Sequence, residues 1–149
     1  MAEYRRAIVD TLAARMNEPR RFIQMLVGPR QTGKSTALRQ ALAQVSIPSH
    51  VALASIDSSS RDWLRAQWLQ ARNLITGQSP AAVLVIDEVQ MVSQWSAVVK
   101  ELWDEDAWNG LDLRVVLSGS SSLLLQKGLA EGLTGRFETI RSTHWSLAE

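Results

Sequence analysis

The sequence predicts an α/β domain in which helices cover both faces of a parallel sheet, a three-layer α/β/α sandwich. Short apolar segments of strand length alternate with amphipathic segments of helical period along all 149 residues. Such alternation is typical of right-handed βαβ units. The segment AAVLVIDE is almost continuously apolar, as expected of a parallel strand that is buried on both faces. A content of 46% hydrophobic and 21% charged residues agrees with one globular domain.

In the first half of the chain, apolar residues spaced three or four apart indicate the helices. The first such stripe is formed by Tyr4, Ile8, Leu12 and Met16, and Pro19 ends it. A glycine turn separates the first strand from the second helix. The predicted elements are a helix over 4–17, a strand over 21–28, a helix over 34–45, a buried strand over 51–55 and a helix over 60–76.

The second half continues the same alternation. The acidic, turn-rich segment DEDAWNGLD is predicted to follow a helix rather than to belong to it. Serines 120–122 are suited to cap a further helix over the leucines 123–125. Without an internal repeat or linker, residues 1–149 are predicted to form one domain, with the helix within 1–20 packed on or beside its core. The predicted elements are a strand over 81–88, a helix over 92–103, a strand over 113–120 and an edge strand over 136–141.

The composition excludes several classes of protein. A net charge of +1 provides no strong overall field for nucleic acid or an anionic membrane. The absence of cysteine excludes disulfides, thiolate metal sites and cysteine nucleophiles. The N-terminus has no apolar signal region, and no apolar run is long enough to span a membrane, so we expect a cytoplasmic protein. The six tryptophans are predicted mainly as core residues, with a partner-docking surface as the alternative.

The segment VGPRQTGKST, between a predicted strand and a predicted helix, matches the phosphate-binding P-loop pattern in full. Its glycines permit a tight backbone path that turns several N–H groups toward one anion, and the following helix adds the positive end of its dipole. The lysine can reach the β- and γ-phosphates, and the serine hydroxyl can ligate Mg²⁺. We therefore predict a bound nucleotide with Mg²⁺. The predicted binding residues are Gly28, Pro29, Arg30, Gln31, Thr32, Gly33, Lys34, Ser35 and Thr36.

The strand VLVIDE ends in two acidic residues that complement the P-loop. Asp87 has the place of a Walker B aspartate, which holds the Mg²⁺ shell. Glu88 follows it directly and is predicted to act as the general base that polarises an attacking water. A pair of solvated acids at a strand end is the alternative, and it is disfavoured because both residues follow a complete P-loop at the edge of the sheet where ligands bind. The pair predicts hydrolysis.

Further residues are candidates for contact with the γ-phosphate or the transition state. Ser118 and Ser120 both end the fourth strand, and the sequence does not choose between them as a sensor of the γ-phosphate, while Ser120 also fits a helix N-cap. Arg136 is predicted to stabilise the transition state, either in its own chain or in a neighbouring subunit. The alternative for this arginine is a surface ion pair with Glu138 or Glu131.

Four segments resemble, in order, the AAA-type ATPases of the prokaryotic archaeal-ATPase-like group. They are LVGPRQTGKST, VLVIDEVQ, VVLSGSSSLLL and LTGRFETI followed by WSLAE. The resemblance covers residues 22–149, and the nearest branch comprises bacterial proteins with a C-terminal domain of uncharacterised function. It implies a P-loop NTPase core of AAA+ type with strand order 5-1-4-3-2. By position it implies phosphate and Mg²⁺ binding by Lys34 and Ser35, a Walker B pair in Asp87 and Glu88, a sensor in Ser118 or Ser120, and a glycine–arginine pair ending in Arg136.

The resemblance implies ATP or ADP as the nucleotide, and the Asn-Lys-x-Asp guanine reader of small GTPases is missing. Proteins of this group continue into a lid and a further domain, which we expect to be absent from this chain. The first functional hypothesis is ATP hydrolysis that drives movement of such a domain or of a protein partner. A nucleotide-dependent switch with little turnover is the alternative. A DNA-linked ATPase is less favoured, homo-oligomerisation stays open, and no membrane partner is expected.

Overall fold

The computed structural model describes residues 2–28, 33–120, 126, 128, 130 and 132–141, and side chains from residue 7 onward. Strands and helices alternate along these residues. In this described part no helix is long and apolar enough to cross a membrane. The elements are α1 (Ala2–Asn17), β1 (Ile23–Val27), α2 (Lys34–Leu42), β2 (Ser49–Leu53), α3 (Arg61–Arg72), β3 (Ala81–Asp87), a 3₁₀ turn (Val89–Met91), α4 (Trp95–Asn109), β4 (Asp112–Gly119) and β5 (Phe137–Arg141).

The five strands form one sheet in the order β2-β3-β4-β1-β5, which confirms the predicted order 5-1-4-3-2. Every pairing in this sheet is parallel. Val27, the last residue of β1, pairs with Gly119 of β4 and Arg141 of β5, so the carboxyl ends of these strands lie together. Ligands of open parallel sheets bind at this carboxyl edge.

Two apolar layers enclose the sheet, and β3 contributes to both. On one face, α1 and α2 bury Leu12 and Met16 against the sheet residues Val83 and Val85. On the other face, α3 and α4 pack Trp68 and other apolar side chains against alternate strand residues. All residues of β3 from 81 to 86 are buried, as the continuous apolar run predicts. The three-layer α/β/α architecture is therefore confirmed.

The prediction that the second strand is buried is wrong. β2 begins at Ser49 and lies at the edge of the sheet, with only β3 beside it among the described strands. His50 and Ala52 face α3, and the His50 ring is 2.7 Å from Gln67 Oε1. The opposite face is not covered by α1 and α2, so Val51 and Leu53 remain 53% and 58% exposed. The apolar character of this strand therefore does not reflect burial.

The prediction for the fourth helix is wrong at both ends. A 3₁₀ turn precedes α4, which begins at Trp95 and continues through the segment predicted as an acidic turn. It ends at Asn109, and the following Gly110 has a φ of 69°, the left-handed conformation that glycine tolerates. The last turns are held by tertiary contacts: Asp106 is fully buried, and Glu105 pairs with Arg72 at 3.1 Å. These contacts outweigh the weak helix propensity of the acidic residues.

Asp106 of α4 binds two side chains of α3 on the face of the sheet that these helices cover. Its Oδ2 accepts a 2.8 Å hydrogen bond from Trp68 Nε1, and its Oδ1 forms an ion pair with Arg72 Nε at 2.7 Å. Burial raises the pKa of this carboxyl, although Trp68 and Arg72 oppose the change. Nearby, the guanidinium of Arg20 stacks 3.5 Å from the centre of the Trp103 ring. This cluster fixes the positions of the helices on one face of the sheet.

The predicted core role of the tryptophans is confirmed for Trp68, Trp95 and Trp103, which are buried. Trp63 is partly buried against the same core. Trp108 differs because it is 90% exposed near the end of α4. The sixth tryptophan, Trp145, lies outside the described residues.

Candidate functional site

A cleft of about 720 Å³ opens at the carboxyl edge of the sheet. The start of α2 forms one wall, the end of β3 forms the floor, and the loop after β2 forms the opposite wall. It therefore contains the segments predicted as the end of the P-loop and as Walker B. The lining residues are Gly33, Lys34, Ser35, Thr36, Leu53, Ala54, Ser55, Ile56, Asp57, Asp87, Glu88 and Met91.

The two ends of the predicted P-loop are described, whereas Pro29, Arg30, Gln31 and Thr32 lie outside the described residues. The Gly28 N–H donates to the Gly119 carbonyl at 3.2 Å, which ties the start of the loop to β4. Gly33 has a φ of 83° and stands immediately before α2. This left-handed backbone explains the need for glycine there.

The side chain of Lys34 is folded along the loop. It is only 7% exposed, and its Nζ donates a 2.7 Å hydrogen bond to the carbonyl of Gly28. A lysine held at the first turn of a helix adds a positive charge to the N–H groups and the dipole of that turn. The start of α2 therefore has the charge and the donors that an anionic group requires.

Asp87 brings three elements together. Its Oδ2 accepts a 3.2 Å hydrogen bond from Ser35 Oγ of α2, and its Oδ1 accepts one from Ser118 Oγ of β4. Ser118 is fully buried. Its hydroxyl therefore fixes the orientation of the carboxylate from behind, while Ser35 meets it from the cleft side.

The Ser35–Asp87 pair fits Mg²⁺, which prefers oxygen ligands and is commonly held by one or two carboxylates together with phosphate and water oxygens. Within the described ranges, no group of three or more His, Asp or Glu side chains could hold a metal ion without such help. The donor set would suit a cation whose remaining oxygen ligands come from a bound phosphate and from water. A cation site built from protein side chains alone does not fit these residues.

Glu88 is held by two donors on the same oxygen. Its Oε2 accepts 2.7 Å from Gln90 Nε2 and 2.9 Å from Ser120 Oγ. The backbone of Glu88 is left-handed, with a φ of 57°, and leads into the 3₁₀ turn. A non-glycine residue in this conformation is uncommon and is found at functional sites.

The two serines that the sequence leaves equivalent have different partners. Ser118 is buried against Asp87, whereas Ser120 is partly exposed and contacts Glu88. Of the two, only Ser120 is partly exposed, and its hydroxyl contacts Glu88, which lines the cleft. The alternative interpretation of Ser120 as a helix cap cannot be compared, because residues 121–125 lie outside the described residues.

Arg136 lies at the amino edge of the sheet, where the strands begin. Its carbonyl accepts a 2.8 Å hydrogen bond from the N–H of Ile23, the first residue of β1, whereas the P-loop follows the last. The intervening strand spans roughly 13 Å at ~3.3 Å per residue. Arg136 therefore does not reach the cleft of its own chain, and only its predicted contribution to a neighbouring subunit remains a hypothesis.

The predicted ion pair of Arg136 with Glu138 is wrong. The guanidinium binds both carboxylate oxygens of Asp104 in α4, at 2.8 and 3.0 Å. Glu138 instead pairs with Arg15 at 3.2 Å. The other predicted partner, Glu131, lies outside the described residues. Sequence reasoning missed Asp104 because it placed that residue in a turn.

The apolar rim of the cleft was also missed. Leu53, Ile56 and Met91 line it beside the polar residues and are 58%, 85% and 37% exposed. They come from β2, the loop after it and the 3₁₀ turn. No motif marks these positions, because their grouping depends on how the loop and the turn fold toward each other.

Comparison with known proteins gives a family match and a similarity in fold. A family model described as an AAA domain matches residues 20–149. Curated protein sequences show no significant match to the chain.

Two solved structures share the fold. Rif2, solved in complex with the C-terminal domain of Rap1, aligns with a TM-score of 0.64 at 11% identity, over 95% of this chain and 52% of that chain. An alanine-to-serine mutant of Thermotoga maritima RuvB aligns with a TM-score of 0.58 at 20% identity, over 93% of this chain and 45% of that chain. The chain thus spans about half the length of each protein. At these identities the similarity concerns the fold alone.

Proposed function

Because the chain belongs to the AAA domain family, we propose that it binds ATP with Mg²⁺ and hydrolyses it to ADP and phosphate. Family membership supports a nucleotide-binding, ATPase-like domain of the P-loop NTPase fold. We propose hydrolysis, an adenine base and Mg²⁺ in addition to what family membership supports. That the chain belongs to the narrower archaeal-ATPase-like group is also a proposal, and it is based on the sequence segments alone.

The observation that carries this proposal is the meeting of α2, β3 and β4 around Asp87. Ser35 and Ser118 bind its two oxygens from opposite sides, and Glu88 follows directly with its own carboxylate. This arrangement supports the proposal of a cation site next to a candidate base. Lys34 and the start of α2, which line the same cleft, support the proposal of an anion site there.

Each side chain has a defined task in the proposed reaction. The first turn of α2 and Lys34 bind the phosphates, and Ser35 and Asp87 hold Mg²⁺. When bound, Mg²⁺ neutralises charge on the phosphate oxygens. Glu88 accepts a proton from the water that attacks the γ-phosphate. Ser120 is suited to donate a hydrogen bond to the γ-phosphate or to that water, so we favour it over Ser118 as the sensor.

The energy of hydrolysis is proposed to move an attached domain or a protein partner, as the resemblance implies. A switch with little turnover is the second candidate, because Arg136 does not reach the cleft of its own chain. DNA as a partner gains little support. Two arginines near the amino ends of the strands are already paired with acidic side chains. Arg15 pairs with Glu138, and Arg114 pairs with Asp112.

Binding is tested by titrating the protein with fluorescent ATP and GTP analogues, with and without Mg²⁺. We expect the ATP analogue to bind and Lys34→Ala to weaken binding about 10- to 100-fold, since a charged hydrogen-bonding group is lost. Arg39→Ala, an exposed cation of the same helix, is the control and should bind normally. A folded wild-type protein that binds neither analogue would overturn the proposal.

Turnover is tested by following phosphate release at saturating ATP. We expect Glu88→Gln to bind ATP normally and to lose about 10²- to 10⁴-fold in rate, as expected for a general base. Glu101→Gln, on the exposed face of α4, is the matched control. Equal and negligible rates in wild type and Glu88→Gln would favour the switch over the hydrolase.

A further inference from the structure

The proposed base Glu88 depends on donors of two different kinds. Ser120 Oγ and Gln90 Nε2 both bind its Oε2, while none of the described residues donates a hydrogen bond to its Oε1. One oxygen is therefore used for anchoring. The other, Oε1, has no such anchor among the described residues.

The serine anchor is not permanent under the proposed function. A hydroxyl has one proton to donate, so Ser120 can bind either Glu88 or an oxygen of the ligand. When Ser120 turns to the ligand, it no longer donates to Glu88. Of the two donors to Oε2, only Gln90 then remains.

Gln90 is well placed for a permanent anchor. It is the middle residue of the 3₁₀ turn Val89–Met91, and this turn is closed by hydrogen bonds from Met91 N to the Glu88 carbonyl and from Val92 N to the Val89 carbonyl, both 3.0 Å. Val89 and Val92 on either side are buried in the core. The backbone that carries the Gln90 amide is therefore fixed relative to β3.

The amide of Gln90 also has a defined orientation. Its Nε2 faces the Glu88 carboxylate, while its Oε1 is buried with no hydrogen-bond partner among the described residues. A buried carbonyl without a hydrogen-bond partner is destabilising. Rotating the amide would not remove this cost, because it would bring the carbonyl oxygen against the carboxylate. The contact with Glu88 thus outweighs the orphaned oxygen.

We propose that Gln90 is a positioning residue for ATP hydrolysis: it holds Oε2 of Glu88 so that Oε1 stays aimed at the attacking water after Ser120 has turned to the γ-phosphate. This inference rests on the proposed function and assigns a role to a residue outside the P-loop and the Walker B pair. Gln90 itself touches neither the water nor the nucleotide.

The test compares Gln90→Met with wild type in single-turnover ATP hydrolysis and in ATP-analogue binding. Methionine has a similar length but no donor, and it also removes the orphaned carbonyl. We expect the rate to fall about 10- to 100-fold, the range expected when a catalytic group is misplaced by ~1 Å, with the Kd for ATP within about twofold of wild type. Gln67→Ala, which removes a glutamine of α3 that contacts His50, should change neither quantity.

A double variant separates positioning from general damage to the site. If Gln90 acts through Glu88, adding Gln90→Met to Glu88→Gln should slow the reaction no further, because the two changes remove one function. Gln90→Ala repeats the test should Gln90→Met fail to fold. Additive losses, or a higher Kd with an unchanged rate, would overturn the proposal.

Failure of this inference can be told apart from failure of the proposed function. If the Glu88→Gln protein hydrolyses ATP as fast as wild type, Glu88 is not the general base, and the proposed mechanism of hydrolysis is rejected. An inactive Glu88→Gln beside a fully active Gln90→Met leaves hydrolysis intact and rejects only the role of Gln90.

Discussion

At the residue scale, Ser118 and Ser120 show how two neighbouring hydroxyls can bind different carboxylates. Successive side chains alternate between the faces of a strand, so residues two apart begin on the same face. The end of β4 at Gly119 breaks this relation. Ser118 thereby remains buried behind Asp87, while Ser120 leaves the sheet and reaches Glu88.

Removing each hydroxyl should therefore affect a different quantity. Ser118→Ala takes a buried donor from Asp87, and we expect the Mg²⁺ concentration for half-maximal ATP binding to rise about tenfold, as for other groups that orient a metal ligand. Ser120→Ala should leave that concentration unchanged and lower the hydrolysis rate. A Mg²⁺ titration of both variants distinguishes the two roles. Equal effects on Mg²⁺ dependence would contradict this division.

At the element scale, the parts of the fold that follow from local pattern were predictable. The apolar run of β3 indicates a buried strand, and Gly33 indicates a turn into a helix, without reference to the rest of the chain. The extent of α4 was not predictable, because Asp104 and Asp106 are drawn into that helix by partners more than 30 residues away in sequence. The exposure of β2 depends on where α1 and α2 end across the sheet, which no local pattern contains.

The buried contact between α3 and α4 predicts a pH dependence of stability. The pKa of Asp106 is raised from the usual 3.8, so the folded state binds more protons than the unfolded state between about pH 4 and the raised pKa of the folded state. Its contribution to the free energy of unfolding therefore falls as the pH rises through this window. Asparagine does not titrate, so Asp106→Asn should gain stability relative to wild type as the pH increases. Urea unfolding at several pH values measures this.

Asp112 provides a control, because its pKa is shifted in the opposite direction to that of Asp106. Burial opposes its ionisation, but hydrogen bonds from Arg114 and from the backbone of Arg20 outweigh burial and lower its pKa below 3.8. The unfolded state then binds more protons, and this stabilisation is lost as the pH falls through the folded value. Relative to wild type, Asp112→Asn should therefore gain stability on acidification. The same trend in both variants would contradict the assigned causes.

At the scale of the whole molecule, the sheet separates Arg136 from the cleft of its own chain. If this arginine contributes to hydrolysis, it must do so in a neighbouring copy. Mixing Arg136→Ala with Lys34→Ala should then restore activity that neither variant has alone. In a random equal mixture about a quarter of the interfaces would pair an intact cleft with an intact arginine. Phosphate release, with sedimentation to detect assembly, provides the measurement.

The ion pair of Arg136 with Asp104 offers a competing, structural explanation for any effect of Arg136→Ala, and Asp104→Ala is the control for it. If Arg136 only fastens β5 to α4, then Asp104→Ala should lower stability as much as Arg136→Ala, and mixing should restore nothing. If Arg136 acts on a neighbour, Asp104→Ala should leave part of the activity in place, since the arginine is still present.

Strand β2, whose outer edge pairs with no other strand among the described residues, has a practical consequence for handling the protein. It presents open backbone groups beside the exposed side chains of Val51 and Leu53, and its five residues carry no lysine or acidic side chain that would repel another strand. Such an edge is a template for adding strands from other molecules. We expect solubility to be limited by this edge, so that concentrated samples turn cloudy while their helices and strands remain intact.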